Sequence, residues 1–151
     1  MPGTHAMDRK RINQQQGFSL LELMVVLAII SIVVLVGIPS YQSSMSASRM
    51  ASAANNMLGA LQLARSEAVA RRSTVTVCAS NNQSTCSGAW SDGGVIRTNT
   101  GTVIRTIPAD SNVTISGAAI SFSGDGTSAG GSISIGSRTV TVNAIGYSKV
   151  E

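Results

Sequence analysis

The sequence predicts an α+β protein, one long N-terminal helix packed on an antiparallel β-sheet, and three observations carry that prediction. Residues 18–38, FSLLELMVVLAIISIVVLVGI, form an unbroken apolar run. Apolar residues then recur at three- and four-residue steps as far as Ala68, which is the spacing of one helix face. From Ser73 onward the composition turns abruptly to Ser, Thr, Gly and Val, alternating polar and apolar in the manner of half-buried strands.

The apolar run has the roughly 20 residues that a helix needs to cross a bilayer core. It contains a single ionisable side chain, Glu22. A carboxylate at membrane depth costs on the order of 2.5–3.5 kcal/mol on insertion scales, so it calls for a partner. Ahead of the run stands MDRKRINQQQG, with the basic cluster Arg9, Lys10 and Arg11. Positive residues stay on the cytoplasmic side, which points the C-terminus outward. A secretory signal has an apolar core of about 7–15 residues ending in small residues of the A-x-A kind. Here the run ends in Gly37, Ile38 and Pro39, so the segment is expected to be retained as an anchor.

Pro39 marks a kink or a helix start, because proline lacks the amide donor and crowds the preceding turn. Between Tyr41 and Arg72 there is no proline, and Ala54, Met57, Leu58, Leu61, Ala64 and Ala68 make one apolar stripe. Asn55, Gln62, Arg65, Glu67 and Arg72 fall largely off it, and Glu67 with Arg71 has the i, i+4 spacing of a helix-stabilising pair. Met24 lies in the apolar run and Met57 on the stripe, where packing accounts for them better than a soft binding groove. The organisation that follows is residues 1–17 as a leader, 18–38 as a transmembrane helix, 39–72 as an amphipathic helix and 73–151 as a β-rich head.

Strands are expected at 73–77 and 138–142, where alternation is clearest, and near 94–98, 102–107, 112–116, 119–122 and 132–135. Gly, Asn, Asp and Pro turns separate them, so neighbours should pair antiparallel. The Gly- and Ser-rich stretch Ser123 to Ser132 reads as a mobile loop. Cys78 and Cys86 enclose a short polar loop, lie on the exported side and should form a disulfide in an oxidising compartment, with two free thiols as the alternative.

Function classes narrow by what the chain lacks. His5 is the one histidine and precedes the apolar run, so no Ser-His-Asp or Cys-His nucleophile and no His/Cys zinc set can be built from the remainder. No phosphate loop of the G-x-x-x-x-G-K type occurs. Asp92-Gly93-Gly94 and Gly124-Asp125-Gly126 read as turns, and the spacing of Asp92, Asp110 and Asp125 matches no calcium loop. No cofactor or metal is expected, and the chain reads as a non-enzyme.

GFSLLELMVVLAII, Gly17 to Ile30, resembles the N-terminal motif of type IV pilins and pseudopilins. The resemblance implies the pilin fold, cleavage by prepilin peptidase between Gly17 and Phe18, and methylation of the new N-terminus. It also implies that Glu22 pairs with the N-terminal amine of a neighbouring subunit during assembly. A leader starting at Met1 or at Met7 is compatible with that motif. Without Asp8, Arg9, Lys10 and Arg11, the 11 basic and 7 acidic side chains fall to 8 and 6, a weak basis for a polyanion partner.

ARSEAVARRSTVTVC at Ala64 to Cys78, followed by Gly88-Ala89-Trp90-Ser91-Asp92-Gly93, resembles the FimT/FimU group of minor pilins within the GspH/FimT family. That implies an inner-membrane, single-pass subunit with a periplasmic head, whose partners are other pilin or pseudopilin subunits. Its expected function is that of a low-copy minor pilin that primes or caps a type IV pilus. One alternative is a GspH-type pseudopilin of a type II secretion system. The other is a DNA-binding subunit of a competence pilus, as some members of the group bind DNA through a basic C-terminal glycine-arginine motif. The corresponding tail here, Gly146-Tyr147-Ser148-Lys149, has no arginine. Arg138 and Lys149 remain as candidate phosphate contacts on one exposed edge, with Tyr147 for stacking and solvated surface charge as the plainer reading.

Overall fold

The computed structural model describes residues 17–151. The expected leader, apart from Gly17, lies outside the described residues, together with Met7 and the basic cluster Arg9, Lys10 and Arg11. The chain divides into two compact units at Tyr41 and Gln42.

In the first unit, α1 (Leu20–Arg71) begins, its first hydrogen bond running from the Leu23 amide to the Ser19 carbonyl at 3.1 Å. Residues 17–38 are exposed throughout, so none of the apolar side chains of this stretch is buried by the chain itself. The helical backbone continues through Pro39, which corrects the expectation of a helix start there. Proline removes one amide donor from the ladder, but its fixed φ near −65° is itself a helical value.

In the second unit the same helix turns its small-residue face inward. Ala54, Met57, Ala60, Leu61, Ala64 and Ala68 are buried in the main core, while Leu58 packs at its margin. Four alanines on one face let β-strands approach the helix axis closely. The helix ends at Arg71 with Arg72 in the left-handed region at φ 48°. The amides of Arg72 and Ser73 return to the carbonyls of Val69 and Ala68, both at 3.2 Å, which closes a Schellman cap. Gly124 packs on this cap so closely that any Cβ would collide with the Arg72 and Ser73 backbone.

Eight strands follow: β1 (Val75–Ala79), β2 (Gly94–Thr98), β3 (Val103–Ile107), β4 (Ile115–Gly117), β5 (Ile120–Phe122), β6 (Gly131–Ile135), β7 (Arg138–Val142) and β8 (Ser148–Val150). They form two four-stranded antiparallel sheets, in the orders β3-β2-β1-β5 and β4-β6-β7-β8. A single sheet was expected. Only Ala118 and Ala119 separate β4 from β5, yet the chain changes sheets there, so β5 pairs with β1 (Val77 opposite Ile120) rather than with its sequence neighbour. Alternation places Val75, Val77, Ile96, Ile120 and Phe122 from one sheet, and Ile133, Ile135, Val140 and Val142 from the other, in one core with the helix.

The stretch from Ser123 to Ser132 is not a loose loop. Its amides bond across the turn (Ser123 to the Thr127 carbonyl and Gly126 to the Ser123 carbonyl, both 2.8 Å), and residues 131–132 already belong to β6.

Candidate functional site

Two regions carry the candidate residues, and each is described within its own unit. In the first, Gly17 and Phe18 precede the helix and Glu22 occupies its first turn. A carboxylate there faces the positive end of the helix dipole. Glu22 is exposed, as are its apolar neighbours from Phe18 to Ile38. Within residues 18–38 Glu22 is the one formal charge.

In the second unit, Cys78 of β1 and Cys86 are joined in a disulfide with Cα atoms 5.4 Å apart. The loop it closes is organised by Asn82, whose Oδ1 accepts the amides of Ser84 and Thr85 at 3.0 and 2.9 Å. Beyond it a 3₁₀ turn, Trp90–Asp92, places the Trp90 indole in the core. Its Nε1–H donates to the Gly117 carbonyl at 2.9 Å, tying the segment between β1 and β2 to β4 of the other sheet.

The carboxylates weighed as cation ligands each serve their own turn. Asp92 accepts the Ala89 amide, Asp110 the Asn112 amide, and Asp125 both the amide and the hydroxyl of Thr127 at 3.0 and 2.7 Å. The Thr127 hydroxyl, then its amide, hold the Asp125 carboxyl below its usual range. Among the described residues no group of three potential ligands comes together.

Arg138 and Lys149 do not share a face. Lys149 stands opposite Thr141, and Arg138 opposite Ile135. Since alternate residues of β7 point to opposite sides, Arg138 falls on the side of buried Val140, and Lys149 on the other side with Thr141. Lys149 is further bound to Glu151, whose hydrogen bond and charge raise the ammonium pKa.

One cation of the polar helix face is more central than its place on that face suggests. Arg65 donates through Nε to the Gly126 carbonyl at 3.1 Å and through Nη2 to the Ile145 carbonyl at 3.0 Å, tying the helix to two turns of the head. Gly146 sits against Arg65 at φ 78°, where an added Cβ would strike the Gly126 carbonyl. Nothing local announces a contact across 61 and 80 residues.

Two family models match the chain, over segments that include each region. A model of the prokaryotic N-terminal methylation motif matches residues 12–38, and a model described as type II transport protein GspH matches residues 53–146. No curated protein sequence matches the chain. Two crystal structures of the type IV minor pilin FimU of Pseudomonas aeruginosa strain PAO1 are similar in fold. One is 22% identical with a TM-score of 0.54, covering 66% of this chain and 90% of that one. The other is 21% identical with a TM-score of 0.55, covering 69% and 89%. The architecture is thus the pilin fold, and the chain belongs to the GspH family of pilin-like proteins.

Proposed function

We propose that this protein is a minor pilin of a type IV pilus, a low-copy structural subunit without catalytic activity that primes or caps assembly. In this reading prepilin peptidase cuts between Gly17 and Phe18, and the new N-terminus is methylated. The 18–38 segment holds the subunit in the inner membrane, with residues 39–72 continuing as helix and the 73–151 head in the periplasm. The observation that carries it is a fully exposed apolar segment, residues 18–38, whose one carboxylate, Glu22, lies in the first turn of α1 within a methylation motif. An ammonium from the neighbouring subunit's N-terminus and the Glu22 carboxylate each relieve the other's burial cost in hydrocarbon. The head's likeness in fold to a minor pilin supports the pilus over other fibres.

A second reading, a pseudopilin of a type II secretion system, is favoured by the family model that matches residues 53–146. The DNA-receptor reading has less support, because Arg138 and Lys149 lie on opposite faces and Lys149 is already paired. Deleting the gene in its host and scoring surface pili, secretion of exported enzymes and DNA uptake together tests all three. The proposal expects loss of pili; normal pili with lost secretion would overturn it for the type II system, and normal pili with lost uptake would overturn it for the receptor.

A further inference from the structure

The geometry points to a peptide-docking edge on the head: the open side of β8, beside Arg65, is built to receive an extended segment of a partner protein that carries a carboxylate. The inference rests on the Gln42–Glu151 unit alone and holds for a pilus or a pseudopilus.

β8 is the last strand of its sheet. The amides and carbonyls of Thr139 and Glu151 exchange both hydrogen bonds, at 3.0 and 2.8 Å. In an antiparallel ladder such pairs alternate with pairs that make none, so Lys149 bonds to Thr141 while Ser148 and Val150 turn their N–H and C=O groups away from β7. β8 pairs with β7 alone, so these groups, on a Ser148 that is 8% exposed and a half-buried Val150, form a narrow unpaired strand edge, a template for another extended chain.

Beside this edge runs a groove of about 510 Å³, walled by Gln62, Arg65, Ser66 and Val69 of α1 on one side and by Tyr147 and Ser148 on the other. Val69 and Tyr147 are 48% and 57% exposed, giving apolar surface for alternate side chains of an added strand. Arg65 supplies the charge. Both of its hydrogen bonds go to neutral carbonyls, and the ion pairs among the described residues are Arg71–Glu67 and Lys149–Glu151. A guanidinium held in place by two carbonyls, with no carboxylate of its own, is complementary to a carboxylate brought by the occupant. A nucleic acid fits less well, since phosphate backbones are held by several cations and this groove offers one.

The test uses the full-length chain in detergent micelles, panned against a phage-displayed library of random linear heptapeptides. Recovered peptides are then labelled and titrated by fluorescence anisotropy. The recovered sequences should share one Asp or Glu among alternating β-branched residues. Affinity should fall about tenfold or more on Val150→Pro, which removes an outward amide and no ladder bond, and likewise on Val69→Glu, which sets a like charge in the groove. Lys149→Gln, on the opposite face, should leave affinity within about twofold. Unchanged thermal midpoints establish that the variants fold, and if Val150→Pro does not fold, Val69→Glu decides. The inference is overturned if no peptide is recovered, if recovered peptides lack the acid or ignore both variants, or if a single-stranded DNA oligomer displaces them from the groove.

Discussion

The indole of Trp90 and the carbonyl of Gly117 are joined at 2.9 Å, one hydrogen bond that links the segment between β1 and β2 to the first strand of the second sheet. Trp90 is also part of the core, so its ring and its N–H act separately. Trp90→Phe keeps most of the apolar contact but leaves the Gly117 carbonyl without its donor. The expected loss is about 1–2 kcal/mol, or a fall of several degrees in the thermal midpoint followed by near-ultraviolet circular dichroism.

Gly146 allows two turns to meet Arg65. Gly146→Ala adds a methyl group against the Gly126 carbonyl and forces a non-glycine residue to φ 78°. A destabilisation of about 1–3 kcal/mol is expected, together with faster amide exchange at Gly126 and Tyr147. A midpoint equal to wild type would show that the turns separate at no cost.

Replacing Cys78 and Cys86 together by serine removes the loop constraint. Chain-entropy arguments put the cost near 2.5 kcal/mol for so short a loop. Reducing agent should lower the midpoint of the wild type and leave the double variant unmoved, with membrane insertion unaffected in both.

Acid should weaken the turn held by Asp125. Its folded pKa lies below the ordinary 3.8 because Thr127 bonds to the carboxylate. A depressed carboxyl pKa stabilises the fold above the unfolded value, and that contribution is lost as pH falls through the folded value. The gap in midpoint between wild type and Asp125→Asn should therefore shrink as pH is lowered from roughly 6 to 2. Lys149 has the opposite sign. Its raised pKa adds stability below the ordinary 10.5, which is lost as pH climbs through the folded value.

The sequence was most legible where a pattern is local. The stripe from Ala54 to Ala68 is the buried helix face, because 3.6-residue periodicity leaves one face inward whatever packs on it. Seven strands were visible through alternation and turn residues. β8 was not, since Ser148-Lys149-Val150 has one apolar residue and too short a run to alternate. The division into two sheets depends on β5 returning to β1, a long-range pairing that Ile120-Ser121-Phe122 does not advertise. The N-terminal methylation motif and the cysteine pair could be read directly. The contacts of Arg65, and the separation of Arg138 from Lys149, depend on packing and register and could not.

Assembly through Glu22 is the central claim, and it is tested most directly with Glu22→Ala expressed in a host lacking the wild-type gene. The readouts are leader cleavage, membrane insertion and the amount of the protein in sheared surface fibres. The account predicts normal cleavage and insertion, with incorporation down by roughly tenfold or more, since a buried ammonium left without its carboxylate costs several kcal/mol. Wild-type incorporation of the variant would contradict it.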